Sequence, residues 1–392
     1  MSEKKKKYRE ATELVHLGIA PEEYFGIPNP PIVRTSTILY PSVEAYRNPD
    51  HKYRYGRLGT PLSDRFEKAM TELEEGFGTV STGSGVSALT LALMSFVKSG
   101  DHILVTDSVY PPTRDLCERY LKNFGIETEY YDPLIGGGIS SLIRDNTSVI
   151  FLESPGSSTF EMQDVPAIAA AAKKRGVITI IDNTWAAGLR FKPIQHGVNI
   201  SMQAATKYIG GHSDVNLGFL VADNEEHYKA IKKTAVDMGL CAAPEDLYLA
   251  IRGLHTLKLR MDKAQESAMT VAKWLQGRKE IQRVLFPALP DDPGHTILKR
   301  DFTGACGVFG IVLQPASNET VTKFIESLEL FPIGSSWGGY ESLIRPEYVR
   351  KYRTAVPWAE KGALLRLQIG LEDPQDLIED LEQGFGKIKL AM

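Results

Sequence analysis

The chain has 392 residues, 43% hydrophobic and 24% charged, with a formal net charge of −4. That balance fits a folded globular chain and argues against intrinsic disorder, and it provides no overall basic field for nucleic acid or an anionic membrane. No stretch reaches the ~18 uninterrupted apolar residues of a membrane span, and three scattered cysteines, Cys117, Cys241 and Cys306, suit a reducing cytoplasm rather than a disulfide framework or a thiolate metal site.

The chain opens on a basic run, EKKKKYRE, that no apolar segment follows. This predicts a solvated tail and not a signal peptide. Residues 1–60 are rich in Pro, Tyr and Arg (GIPNPPIVRTSTILYPS, HKYRYGRLGTP). Such an arm cannot bury itself and is expected to lie on another surface, a neighbouring subunit among the candidates. From residue 61 the pattern turns regular. LSDRFEKAMTELE has helical periodicity, SALTLALMSFVKSG predicts an amphipathic helix closed by Gly100, and HILVTD predicts a buried strand ending at Asp107.

The clearest unit spans 148–183. SVIFLE and VITIID are β-branched runs ending at Glu153 and Asp182, and DVPAIAAAAKKRG between them is a helix that Asp164 can cap and Gly176 can close. Strand, helix and strand at this spacing form a parallel pair with a right-handed crossover. Both acids therefore reach one sheet edge, where open α/β sheets bind ligands. NISMQA is a third run, with Lys207 just beyond it. His212 follows that turn, and with no second ligand at i+4 it is expected to make a local hydrogen bond. After about 255 a helix, LHTLKLRMDKAQESAMTVAKWLQG, leads to the strands GVFGIVLQP and ALLRLQIGL and a terminal helix DPQDLIEDLEQGFGKI. The expected organisation is thus an arm (1–60), an α/β domain with a mostly parallel sheet (61–255) and a smaller α+β domain (256–392).

STGSGVSA, residues 81–88, joins small residues to a helix start, a setting that aims free N–H groups at an anion. It also satisfies G-x-G-x-x-A through Gly83, Gly85 and Ala88, with Asp107 as a ribose-binding acid, so a dinucleotide is admissible. A plain helix-entry turn fits equally well. Asp182 alone could be a cap, and Lys207 alone a surface residue. Together they ask for more. A lysine in a dry, small-walled turn can condense with an aldehyde, and a buried Asp beside it needs a cationic partner. Pyridoxal 5′-phosphate (PLP) supplies aldehyde, pyridinium and phosphate at once, whereas a dinucleotide leaves Asp182 and Lys207 without a role. Tyr110, just past HILV, suits either the core or stacking on a ring. Arg366, inside an apolar strand, faces solvent on the local pattern, or a substrate carboxylate. Trp337, before two glycines, marks a loop that approaches something closely.

IIDNTWAAG, QAATKYIGGHSD, SWGGYESL and LLRLQIGLED, in this order, resemble the Cys/Met-metabolism group of PLP enzymes of fold type I. The bacterial cystathionine β-lyases are the most similar members. The resemblance runs from about residue 10 to the C-terminus. It implies that Lys207 anchors the cofactor and shuttles the Cα proton, with Tyr110 and Tyr55 also in the catalytic set. It further implies that Asp182 holds the pyridine nitrogen protonated, Tyr110 stacks on the ring, and Gly85, Val86 and Thr206 bind the phosphate with Tyr55 and Arg57 of an adjacent subunit. Arg366 would clamp the substrate carboxylate beside Ser336 and Trp337. The implied reaction is carbon–sulfur β-elimination on L-cystathionine or related cysteine S-conjugates, in methionine biosynthesis, by a cytoplasmic homotetramer. A γ-synthase or γ-lyase is the alternative within the family. Outside it stand a nicotinamide-dependent oxidoreductase and a non-catalytic PLP-binding regulator. Ala204, where many relatives carry Ser, removes one phosphate hydroxyl. Val236 and Ser335 stand where β-lyases carry tyrosine, and both are expected toward the substrate's far end.

Overall fold

The computed structural model describes residues 8–387, so the basic run up to residue 7 and Ile388, at the end of the expected terminal helix, lie outside the described residues. A seven-stranded sheet forms the larger layer. Its strands are β1 (Gly78–Thr82), β2 (His102–Thr106), β3 (Glu127–Tyr131), β4 (Thr147–Glu153), β5 (Ile178–Asp182), β6 (Ile200–Ala204) and β7 (Gly218–Ala222). Their order is β1-β7-β6-β5-β4-β2-β3. β2 through β6 are mutually parallel, and β7 runs against both of its neighbours. A second, antiparallel sheet has the order β10-β11-β9-β8, built from β8 (Ile281–Leu285), β9 (Val308–Leu313), β10 (Leu343–Glu347) and β11 (Leu364–Gln368).

The parallel strands are apolar on both faces because helices cover both. Ile103, Val105, Val149, Phe151 and Ile180 point into one core cluster, and Leu104, Ile150, Leu152 and Ile181 into the other. Each such side chain contributes about 1.5–3 kcal/mol on burial. The crossover between β4 and β5 is the helix Val165–Lys174, with the Asp164 carboxylate accepting from Ala167 N at 3.2 Å and Gly176 at φ +67° ending it. β4 and β5 pair in parallel with Glu153 opposite Asp182, and β5 and β6 pair with Asp182 opposite Met202. The strand order reverses between β2 and β4, which opens a crevice at their carboxyl ends.

One helix differs from expectation. It spans Gly85–Met94, not a stretch running to Gly100, and it is apolar nearly all round, with Ala88, Leu89, Leu91, Ala92 and Leu93 buried. The Ser84 hydroxyl caps it by accepting from Ser87 N at 3.1 Å. Gly100, at φ +90°, instead turns the chain into β2. The helix packs on β6 and β7 and on the helix Glu225–Asp237, so most of its surface is covered.

Candidate active site

The carboxyl ends of β2, β4, β5 and β6 border one cleft. Lys207 enters it from the turn after β6. Its Nζ donates to Ser336 Oγ at 2.8 Å and lies 5.4 Å from the centre of the Trp337 ring. Burial, then the Arg366 charge, lowers this amine to about 8, and Asp182 only partly opposes them. Asp182 closes β5. Its Oδ1 accepts from Thr184 N at 3.0 Å, and burial raises its pKa. Tyr110 forms the opposite wall, and its backbone N–H donates to Glu153 Oε2 at 2.7 Å across the crevice. Burial also raises the Tyr110 phenol and pushes the Glu153 carboxyl well up, with Asp182 adding to both.

The N-terminus of the helix Gly85–Met94 forms the cleft's other end, with Gly85, Val86 and Thr206 lining it. A Cβ on Gly85 would lie 2.6 Å from the Ala204 Cβ, so only glycine lets the helix start this close to β6. The Thr206 hydroxyl accepts from Leu217 N at 3.0 Å. Arg366 is 7% exposed and faces the cleft, which corrects the expectation that it meets solvent. It donates to Ser336 O at 3.0 Å and lies 3.6 Å from Glu347. The strand β11 is covered on both sides, and a buried guanidinium there needs these acceptors.

The structure brings together Lys207, Asp182, Tyr110, Gly85, Val86, Thr206, Ser336, Trp337 and Arg366. It does not bring Tyr55 or Arg57 of the same chain to them. Those two line a separate cavity, where Arg57 Nη1 donates to Val236 O at 3.0 Å. Val236 therefore lies away from the Lys207 cleft within one chain, and Ser335 is exposed. Asp107 does not serve a ribose. Its carboxylate accepts from the backbone N–H groups of Thr354, Ala355 and Val356 at 2.9–3.1 Å and pairs with Arg114 at 2.6 Å. This removes the acid that the dinucleotide alternative requires. His212 makes its expected local bond, to Gly210 O at 2.8 Å.

The description Cys/Met metabolism PLP-dependent enzyme matches residues 11–386. The chain belongs to this family. It is 47% identical over 378 residues to a protein of Rhizobium johnstonii provisionally named cystathionine β-lyase, covering 95% of each chain. It is 41% identical to the cystathionine β-lyase MetC of Escherichia coli, covering 96% of this chain and 98% of that one. Among solved structures it is similar to a cystathionine γ-lyase from Lactobacillus plantarum complexed with L-serine, at TM-score 0.90 and 31% identity, over 98% of this chain and 100% of that one. This family's cofactor is PLP, and the cleft suits it. Among the described residues the buried Asp182 carboxylate has no cationic partner at bonding distance and so suits a pyridinium, the Lys207 amine is lowered to about 8, and the N–H groups at a helix start suit a phosphate.

Sequence reasoning noted Glu153 as a strand end but gave it no role. It misses Thr184 as well. Glu153 orients Tyr110, and Thr184 bridges β5 to β6, donating through its backbone N–H to Asp182 and accepting from Ala204 N at 2.9 Å through its hydroxyl. Thr184 lay inside the quoted DNTWAAG, next but one to the Asp, which is the signal that could have found it.

Proposed function

We propose that the protein is a PLP-dependent carbon–sulfur β-lyase that converts L-cystathionine and water to homocysteine, pyruvate and ammonia. The observation that carries this reading is a single cleft in which the Lys207 amine, 2.8 Å from Ser336 Oγ, is lined together with Asp182 and Arg366. When bound, PLP supplies an electron sink for negative charge at the substrate Cα. Asp182 keeps a proton on the ring nitrogen and so keeps that sink strong. Tyr110 would stack on the ring, and Tyr110, with Tyr55 of the partner subunit, would border the reacting atoms. Arg366 takes the substrate α-carboxylate as a fork, with Ser336 and Trp337 forming the wall that orients the Cα–H bond toward Lys207. Lys207, whose amine burial lowers, then removes the Cα proton. Gly85, Val86 and Thr206 hold the phosphate.

Tyr55 and Arg57 lie in another cavity of their own chain, so the reading assigns them to the neighbouring subunit's phosphate. The active unit is then a dimer, and dimers pair into a homotetramer. With homocysteine as product, this reading assigns the reaction to methionine biosynthesis and to the cytoplasm. No helix among the described residues is long and apolar enough to cross a membrane.

The test is 2-oxo acid analysis with L-cystathionine as substrate. Wild type releases pyruvate, and Lys207→Ala loses at least about a thousandfold in that rate, the scale of removing a general base together with the cofactor anchor. Release of 2-oxobutyrate in place of pyruvate would move the protein to the γ-type reaction. Pyruvate release by Lys207→Ala at near the wild-type rate would remove the lysine from its role.

A further inference from the structure

Arg260 projects from the helix Leu257–Gln276 and is 7% exposed. Its guanidinium donates to three carbonyls, those of Tyr208 at 2.6 Å, Gly253 at 2.7 Å and Ile209 at 3.4 Å. Its Nε donates to the Thr256 hydroxyl at 3.0 Å. Burial lowers it to about 10, and among the described residues no carboxylate pairs with it. A buried cation is normally held by a carboxylate, because desolvation otherwise outweighs its gains. Here the offset comes from backbone dipoles, and two of the three belong to the residues that directly follow Lys207.

The same turn is wound tightly on the guanidinium. Gly211 sits at φ +73°, and a Cβ there would lie 2.0 Å from Arg260 Nη1. Glycine is needed both for that backbone angle and for that closeness. Gly211 N donates to Lys207 O at 2.8 Å, so the residue packed on Arg260 also bonds to the lysine's own carbonyl. From the other side, the Tyr208 hydroxyl accepts from Gly307 N at 2.8 Å and ties the turn to the segment entering β9. The backbone at 207–211 is thus gripped from two elements that follow it by about fifty and a hundred residues.

We infer that Arg260 is a positioning residue for Lys207: by gathering the carbonyls of 208, 209 and 253 it fixes the turn from which the amine reaches Ser336. This inference rests on the reading of Lys207 given above. A lysine at 260 keeps the charge but cannot reach three carbonyls in one plane.

The experiment compares wild type, Arg260→Lys and Arg260→Ala as PLP holoenzymes. It reads the rate of PLP release, the visible circular dichroism of the bound cofactor, kcat and KM, with thermal melting of the cofactor-free proteins beside them. Arg260→Lys is expected to melt near wild type, release PLP about tenfold faster and show a weakened visible dichroism. It also loses roughly ten- to hundredfold in kcat with KM nearly unchanged, the scale of a misplaced reacting group. Arg260→Ala shows the same signs more strongly, and if it does not fold, Arg260→Lys decides alone. Wild-type release, dichroism and kcat per folded Arg260→Lys molecule would overturn the inference. So would failure of Arg260→Lys to fold, since Arg260 would then be a structural link and nothing more. The release and dichroism readings need no substrate. A wild type that makes no pyruvate from cystathionine would therefore sink the lyase reading while leaving this one to be judged on its own.

Discussion

Lys207 folds into surroundings that disfavour its own charge. Burial, helped by Arg366, brings its amine from 10.5 down to about 8 in the cofactor-free chain. Below pH 8 the amine is protonated in both the folded and unfolded states, and the folded state bears the whole penalty of burying the cation. As pH rises from 8 toward 10.5 the folded state gives up its proton first, and the penalty fades. Lys207→Met should therefore stabilise the cofactor-free protein by about 2–3 kcal/mol at pH 7. The advantage should shrink steadily between pH 8 and 10. Urea unfolding across that range checks it, and a Met variant no more stable at pH 7 would mean the amine is not desolvated. At this scale the sequence was partly legible. Asp182 and Lys207 could be placed because one ends and the other follows a short strand whose pattern is local. Arg366 was misjudged because alternation within ALLRLQIGL cannot reveal that the strand's other side is covered. Arg260 gave no signal, since its acceptors stand up to 52 residues away and are backbone carbonyls that carry no residue identity.

Among the elements, the segment after β2 connects the two sheets. Asp107 ends that strand run, is 3% exposed, and collects three backbone N–H groups from 354–356 together with Arg114. Arg353, next in the chain, pairs with Glu161 on the segment that also lines the cleft. Residues 353–356 thus tie the two cleft-bordering segments, the one at Tyr110 and the one at 155–160, to a carboxylate three residues before Tyr110. Burial alone would raise the Asp107 pKa, but the Thr354 and Val356 N–H groups and Arg114 outweigh it and hold it below the ordinary value. Its stabilisation is thus fully present above the ordinary carboxylate range and fades as pH falls through the lowered folded value. Asp107→Asn should cost about 3 kcal/mol at pH 7, because Arg114 is left buried without its partner. The gap from wild type should begin to narrow below about pH 4, where the unfolded carboxylate protonates, and go on closing as pH falls through the lowered folded value. Chemical denaturation at pH 7 and in acid tests this, and an Asn variant of wild-type stability at pH 7 would refute the clamp. The strand–helix–strand unit of 148–183 was readable because its cap, its glycine stop and its two apolar runs are all local. The Gly85–Met94 helix was placed too far along, because its apolar run continues past Met94 into the loop that leads to Gly100. The clamp at Asp107 was invisible, since its donors lie 247 residues away.

For the whole molecule, the arm is the part that a single chain leaves unexplained. It carries Phe25 at 101% and Leu39 at 86% relative exposure, with Val43, Tyr46 and Tyr55 also open to solvent. Apolar side chains clustered on one extended segment are the mark of a surface made to be covered. If Tyr55 and Arg57 complete the neighbouring subunit's cleft, two inactive variants should repair each other. Lys207→Ala refolded with an equal amount of Tyr55→Ala gives half its dimers as mixed pairs, each with one intact site. About a quarter of wild-type pyruvate release should return, as twofold symmetry requires. No recovery, in a mixture shown to contain mixed pairs, would place each site within one chain. The most direct measurement of the account concerns its covalent centre. Holoenzyme reduced with borohydride and digested should yield one pyridoxyl group per chain, found by mass spectrometry on the peptide containing Lys207. A pyridoxyl group on any other lysine, or a fully loaded protein that borohydride leaves unmarked at Lys207, would contradict it.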